Sequence, residues 1–303
     1  MTVPEVNIRK LRHEDLVKYH KLSDDEVWNV GMDVYEKMFE ISPDGFYCAE
    51  NKETKEVVSF CGGVDIGDKR AVIVSFITEP KLRGQGIGSK VIKKILEHYE
   101  GYEIIVNSAV GREPMYERFG MAKFLYQTNQ LICRPKSLEK QAISFNIFPL
   151  ENIEDIYPLD EAVTGSDRKQ ILKWFFETSD KSFFSKNEQG EIDGYTMVRK
   201  TPLGISLSPC YARSENALRG LIEKVISIYP NSDAQICLPI DNKDSLKILE
   251  QYFFVKISSC CFPKDAPEDL TVSLPNTWLG SKQDLKFEKS SVISILDFHF
   301  GVC

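Results

Sequence analysis

The chain has 303 residues, 42% hydrophobic and 27% charged, with a formal net charge of −7. That length suits two domains, and the composition suits a globular protein with apolar material for a core in each. Neither half is basic, so nucleic acid is not an expected partner, and no run approaches the ~20 apolar residues that span a bilayer.

Val6–Leu11 reads as a first strand. His13–Leu22 and Asp24–Ile41 read as helices, the second from Val27, Val30, Val34, Met38 and Ile41 at helical spacing. Ser42–Gly45 is a turn, and Phe46–Glu50, Val57–Val64 and Ala71–Thr78 are strands rich in β-branched and aromatic residues. The turn Arg83-Gly84-Gln85-Gly86-Ile87-Gly88 leads into a helix whose buried face is Ile87, Val91, Ile92, Ile95 and Leu96. Glu103–Val106 is a buried strand, Pro114–Phe119 a short helix, and Ala122–Cys133 one or two closing strands. The polar stretch Pro135–Lys140 marks a boundary, giving domains 1–135 and 141–303.

The order then begins again. Ile143–Leu150 is a strand, Ile153–Val163 and Asp167–Glu177 are helices, and Ser182–Lys186, Tyr195–Lys200 and Ile205–Leu207 are strands. The helix Asn216–Ile228, the strand Ala234–Leu238 and the helix Lys243–Tyr252 complete the round. The apolar run Val292–Phe300 reads as a strand docked at a place the sequence does not specify. None of the eight cysteines forms a C-x-x-C pair, and the four histidines do not cluster with them. No zinc site, other metal site or disulfide framework is expected. The polar start lacks a signal-peptide core, so a cytoplasmic protein is expected.

The sharpest signal is Phe76–Ser89. A glycine-rich turn between a buried strand and an amphipathic helix aims backbone N–H groups and the positive helix end at one point, where a pyrophosphate binds readily. The nucleoside-triphosphate loop fits poorly because Gly88 is followed by Ser89 and then Lys90. In the dinucleotide fingerprint the third glycine would come one residue later. Phe76–Ser89 resembles the acetyl-CoA motif [RQ]-x-x-G-x-[GA] of the GCN5-related N-acetyltransferase (GNAT) family, matched by Arg83, Gly86 and Gly88. The resemblance implies acetyl-CoA as co-substrate. Its pyrophosphate would lie on the turn Arg83, Gly84, Gln85, Gly86, Ile87, Gly88 and Ser89, and its pantetheine along Phe76, Ile77 and Thr78.

The stretch from Asn107 through Tyr116 to Met121 resembles the family's N-x-x-A…Y-x-x-x-G-F segment, with Met121 in place of Phe. It implies that Asn107 and Tyr116 contact the cofactor and that Tyr116 protonates the departing thiolate. A phenol suits that task because it stays protonated at neutral pH. Candidate bases are Glu79, at the end of the central strand, and Asp65, near the end of the strand before it.

The second half reads as a worn copy of the first. With Pro209 set on Pro80, Glu215 falls where Gly86 stands; with Asn242 on Asn107, Leu249 falls where Tyr116 stands. The arrangement resembles tandem acetyltransferase proteins whose second domain carries a V-x-G-x-D-R-like segment, here Val163–Arg168. Within that segment Asp167 reads as a helix cap, and Arg168 as either a surface residue or a carboxylate binder. The expected fold is α/β (α+β), two tandem GNAT-like domains, each a mixed, mostly antiparallel sheet flanked by helices. The expected function is transfer of an acetyl group from acetyl-CoA to a primary amine of a small or amino-acid-like acceptor by direct attack. The alternatives are a CoA-binding pseudoenzyme and a non-catalytic interaction protein.

Overall fold

The computed structural model describes residues 3–26, 28, 30–108, 111–136, 146–201, 204–258, 276–281 and 287–295. They divide into two units. The first holds residues 3–124 and 279–281, and the second holds the remainder from Leu125 onward.

In the first unit, β1 (Val6–Lys10), β2 (Phe46–Asn51), β3 (Val57–Gly67) and β4 (Arg70–Thr78) pair antiparallel in chain order. β5 (Glu103–Ser108) then joins β4 in parallel. The helices are α1 (Leu16–Asp25), α2 (Met32–Ile41), α3 (Ile87–His98) and α4 (Glu113–Glu117). As its periodicity requires, α3 buries Ile87, Val91, Ile92 and Ile95 in one core with Cys61, Ile73 and Val106. Each such side chain contributes roughly 1.5–3 kcal/mol on leaving water. The expected helix Asp24–Ile41 does not form as one piece. Asp25 ends α1, the extended Gly31 precedes a new helix, and α2 begins at Met32. Val27 lies outside the described residues.

In the second unit, β7 (Ile147–Pro149), β8 (Lys181–Lys186), β9 (Ile192–Thr201) and β10 (Gly204–Ala212) pair antiparallel. β11 (Ala234–Pro239) joins β10 in parallel. Its helices are α5 (Tyr157–Thr164), α6 (Lys169–Thr178), α7 (Glu215–Ile228) and α8 (Lys243–Tyr252). The order strand, two helices, strands, helix, strand and helix is thus repeated.

The compact division falls at Phe124/Leu125, ahead of the expected boundary. The cause is β6 (Lys123–Pro135), one long strand. Its residues 128–133 pair antiparallel with β11, and 130–135 with β12 (Phe253–Ser258). Leu131 and Cys133 therefore enter the core under α7 and α8. Residues 137–140 of the expected linker lie outside the described residues. A strand β13 (Asn276–Gly280) and a short β14 (Val292–Ser294) come from the late part of the chain. β14 pairs antiparallel with β10. The rest of the expected strand, 296–300, is outside the described residues.

Candidate functional site in the first unit

β4 and β5 run together only from Arg70↔Glu103 to Ile73↔Val106. Beyond Ile73 no described strand pairs with β4 on that side. A β-bulge explains the parting: Ser75 and Phe76 together stand opposite Cys61, and Ser75 takes φ 49°. A bulge bends its strand and re-aims it, and bulges gather beside functional sites. Tyr19 braces this one. Its fully buried hydroxyl donates to the Ser75 carbonyl at 2.5 Å, and its ring stacks on Phe60 at 4.7 Å.

Phe76, Ile77 and Thr78 continue β4 past the bulge, and Asn107 on β5 lies one residue beyond the last parallel pair. A single 3-10 turn, Pro80–Leu82, then carries the chain into the glycine-rich turn. Gly84 and Gly86 take φ 75° and 78°, the left-handed region that glycine enters without a Cβ penalty. A Cβ at either would meet nothing within 4 Å, so backbone, not side chain, forms this surface. Gly88 is glycine for a different reason: a Cβ there would lie 2.8 Å from the Phe76 ring and 2.9 Å from the Thr78 hydroxyl. It allows the first turn of α3 to pack against β4.

Gly86 is the N-cap of α3 and supplies no side-chain acceptor to the helix's first N–H groups. Those donors and the positive end of the helix dipole are therefore offered outward. Arg83 braces the turn, donating through Nε to the Thr78 carbonyl at 2.9 Å and through a terminal nitrogen to Glu26 at 2.6 Å. Gln85 closes it with a 3.1 Å bond to the Lys81 carbonyl.

Tyr116 lies buried on α4, in the same core as Ile87, Val106 and Met121. The Tyr19 phenol is pushed well above its ordinary pKa, chiefly by burial, then by Tyr35 and Cys61, with Tyr116 also contributing. Tyr116 thus stands within electrostatic reach of the hydroxyl that holds the bulge. Tyr19 carries no signal of its own in the sequence, where it is one residue of the expected helix His13–Leu22.

Glu79 is 7% exposed and pairs with Lys18 at 2.9 Å and Lys81 at 3.2 Å. Burial alone would raise its carboxyl; the hydrogen bonds from the two lysines outweigh this and hold it below the usual range. Asp65 is removed from the site altogether. It pairs with Ala71, whereas Thr78 pairs with Ser59, seven β4 residues away. At 3.2–3.4 Å per residue that is more than ~20 Å. Among the described residues no group of three or more His, Cys, Asp or Glu could hold a metal ion. No described helix is long and apolar enough to cross a membrane.

In the second unit the corresponding bulge sets Ser208 and Pro209 opposite Met197. Pro209 therefore matches Phe76 rather than Pro80. Only Arg213 and Ser214 separate β10 from α7, where Glu79–Gly86 separate β4 from α3. Ser214, not Glu215, takes the place of Gly86 at the cap, and its hydroxyl accepts from Ala217 N at 3.0 Å. Asn242 caps α8 instead of lying in a strand as Asn107 does. Arg168 is 1% exposed, neither a surface residue nor open to a ligand. It grips Asp160 through Nε at 3.1 Å and a terminal nitrogen at 2.5 Å, and donates to Tyr211 at 3.0 Å. Tyr195 donates to the same carboxylate. This cluster ties α5 to β9 and β10. Asp167 lies one residue before the Arg168 cap and accepts from Lys169 N at 3.1 Å.

Comparison with known proteins agrees with this duplicated geometry. Residues 10–121 match the family model described as "Acetyltransferase (GNAT) family", and residues 156–263 match "Acetyltransferase (GNAT) domain". The chain is a tandem GNAT protein. It is an acyltransferase. Holothin acyltransferase of Pseudoalteromonas sp. (strain SANK 73390) is 22% identical over 205 residues, covering 68% of this chain and 69% of that one. In fold, the GNAT chain resembles a putative acetyltransferase from Pyrococcus horikoshii, with TM-score 0.75 and 18% identity over 99% of this chain and 97% of that one. It also resembles a tandem GNAT protein from the clavulanic acid biosynthesis pathway, with TM-score 0.57 and 10% identity over 91% and 98%.

Proposed function

We propose that the first unit binds acetyl-CoA and transfers its acetyl group to a primary amine of a small or amino-acid-like acceptor. The observation that carries this reading is the helix α3, begun by a left-handed glycine with no side-chain cap, one eight-residue turn after a strand that has parted from its neighbour. Backbone amides from Arg83 to Ser89 would hold the pyrophosphate, and no side chain blocks the approach at Gly84 or Gly86. The β4 backbone at Phe76–Thr78 would hold the pantetheine arm, and Asn107 on β5 would contact it from the opposite side.

When bound, the co-substrate supplies a thioester carbonyl. The amine nitrogen attacks it and gives up a proton to water, the carbon–sulfur bond breaks, the thiolate takes the Tyr116 phenolic proton, and water returns a proton to the phenolate. Holding both reactants together supplies much of the rate. A general base works best with a pKa near the working pH. The two lysines hold Glu79 away from that range, so we assign Glu79 to anchoring the loop and leave the amine proton to water.

The test is amide exchange with and without saturating acetyl-CoA, followed by free-thiol release across a panel of amines. Protection at residues 76–89 with release on at least one amine supports the proposal. Absence of protection there, or protection only in the second unit, refutes it.

A further inference from the structure

The second unit parts its strands as the first does, but fills the gap with its own chain. β10 and β11 pair only at Ile205↔Ala234 and Ser206↔Gln235. Past the bulge, β14 takes the side of β10 that β11 has left, with Cys210 opposite Ser294 and Tyr211 opposite Val292. Its other edge meets β11: the Cys237 N–H donates to the Ser294 hydroxyl at 3.0 Å, and the Ile295 N–H to the Cys237 carbonyl at 3.2 Å. Val292, Ile293 and Ile295 are at most 1% exposed.

The approach to this strand is clamped. The Asn242 amide donates to the carbonyls of Lys289, Ser290 and Val292 at 3.3, 3.0 and 2.9 Å. Arg213, in the short turn after β10, grips Glu288 with two bonds of 3.0 and 2.7 Å.

We propose that the groove between β10 and β11 is a peptide-binding slot, selective for an extended segment with buried β-branched side chains, and that residues 288–295 of this chain are its resident ligand. Main-chain pairing with β10, with the Ile295 N–H and Ser294 hydroxyl bonds to β11, supplies affinity, and the burial of Val292, Ile293 and Ile295 supplies selectivity. The slot stands where a thioester carrier would otherwise lie, so the second unit takes no acyl-CoA while the segment is seated. The slot itself does not depend on whether the first unit binds acetyl-CoA; its exclusion of acyl-CoA rests on that reading.

A site-specific protease sequence placed between Ser281 and Phe287 of the full chain tests it. After cleavage, the fragment beginning at Phe287 is expected to stay bound through gel filtration. It should exchange with a labelled synthetic peptide of residues 287–297 but not with a scrambled one. Asn242→Asp keeps the acceptor that caps α8 at Ser245 N but removes the three donated bonds. It should speed loss of the fragment by at least ~10-fold, since three carbonyl acceptors lose their donor. Three outcomes overturn the slot: a folded remainder whose fragment exchanges with no labelled peptide, equal exchange with the scrambled peptide, or equal loss of the fragment in Asn242→Asp.

Discussion

Two grooves, built by the same device, differ in what they offer. In each unit a central strand bulges and parts from its parallel neighbour, after Ile73↔Val106 in the first and Ser206↔Gln235 in the second. In the first, eight residues lead to a helix whose cap, Gly86, leaves the terminal amides to others. In the second, two residues lead to a helix capped by the Ser214 hydroxyl, and the gap receives β14. The parting of the strands is therefore a property of the fold. What the groove binds is decided at the turn and by the segment laid into the gap.

If the second groove is structural, its supports should matter to stability and not to acyl-CoA. Arg168→Ala leaves the Asp160 carboxylate buried without its cation, with Tyr195 still donating to it, so the second unit should lose ~3–5 kcal/mol. Urea unfolding together with exchange at residues 205–212 would read this. Acetyl-CoA affinity should not change; a parallel loss of affinity would break the separation of roles.

The reciprocal change is Gly86→Glu, which sets a carboxylate before the helix amides and demands φ 78° of a residue with a Cβ. Acetyl-CoA binding should weaken roughly 10- to 100-fold, combining competition of the carboxylate with the diphosphate for the helix N-terminus with ~1–2 kcal/mol of left-handed strain. Gly86→Ala isolates the strain, because its methyl meets nothing within 4 Å. By calorimetry it should weaken binding about tenfold or less. Equal losses in the two variants would mean that conformation alone, not charge, controls the turn.

Much of this contrast was legible in the residues. The R-G-x-G-x-G turn follows a β-branched strand as expected, and Ile87, Val91, Ile92 and Ile95 of the expected face of α3 are buried while Leu96 is half-buried, because both are local patterns. What escaped depends on distant pairing. The bulge at Ser75 arises from register with Cys61, and the Tyr19 brace comes from 56 residues away. Proline spacing misplaced Pro209, since the shortened turn at Arg213–Ser214 leaves the glycine-rich run without a counterpart. Arg168 reads as either a surface charge or a binder of a substrate carboxylate because its partners, Asp160 and Tyr211, and Tyr195, which donates to the same Asp160, are gathered from three elements. The docking place of β14 is set by hydrogen bonds to strands more than fifty residues earlier.

A subtler division is chemical. Tyr116→Phe keeps the buried ring in its core and deletes only the proton donor. The value of kcat should fall ~10²-fold or more if the phenol protonates the thiolate, with KM for acetyl-CoA little changed. The residue that setting Asn242 on Asn107 places against Tyr116 is Leu249, a fully buried core residue of α8. Leu249→Tyr should therefore cost stability without adding thiol release. A Tyr116→Phe enzyme that keeps full kcat would assign the phenol to packing and leave thiolate protonation to water.

The smallest effect lies in the two carboxylates that fasten the grooves. Glu79, held by Lys18 and Lys81, and Glu288, held by Arg213, both titrate below the ordinary glutamate range. A carboxyl whose pKa is lower folded than unfolded adds stability that is fully present above the unfolded value and lost as pH falls through the folded one. Each pair should therefore contribute ~1 kcal/mol or less at neutral pH and nothing in strong acid. Glu79→Gln should flatten the acid limb of stability and loosen residues 79–86 without freeing β14. Glu288→Gln should do the reverse, speeding amide exchange at 292–295 and leaving acetyl-CoA affinity intact. The same exchange profile for both variants would mean that the two fastenings act on one cooperative structure, and the division of labour between the grooves would have to be abandoned.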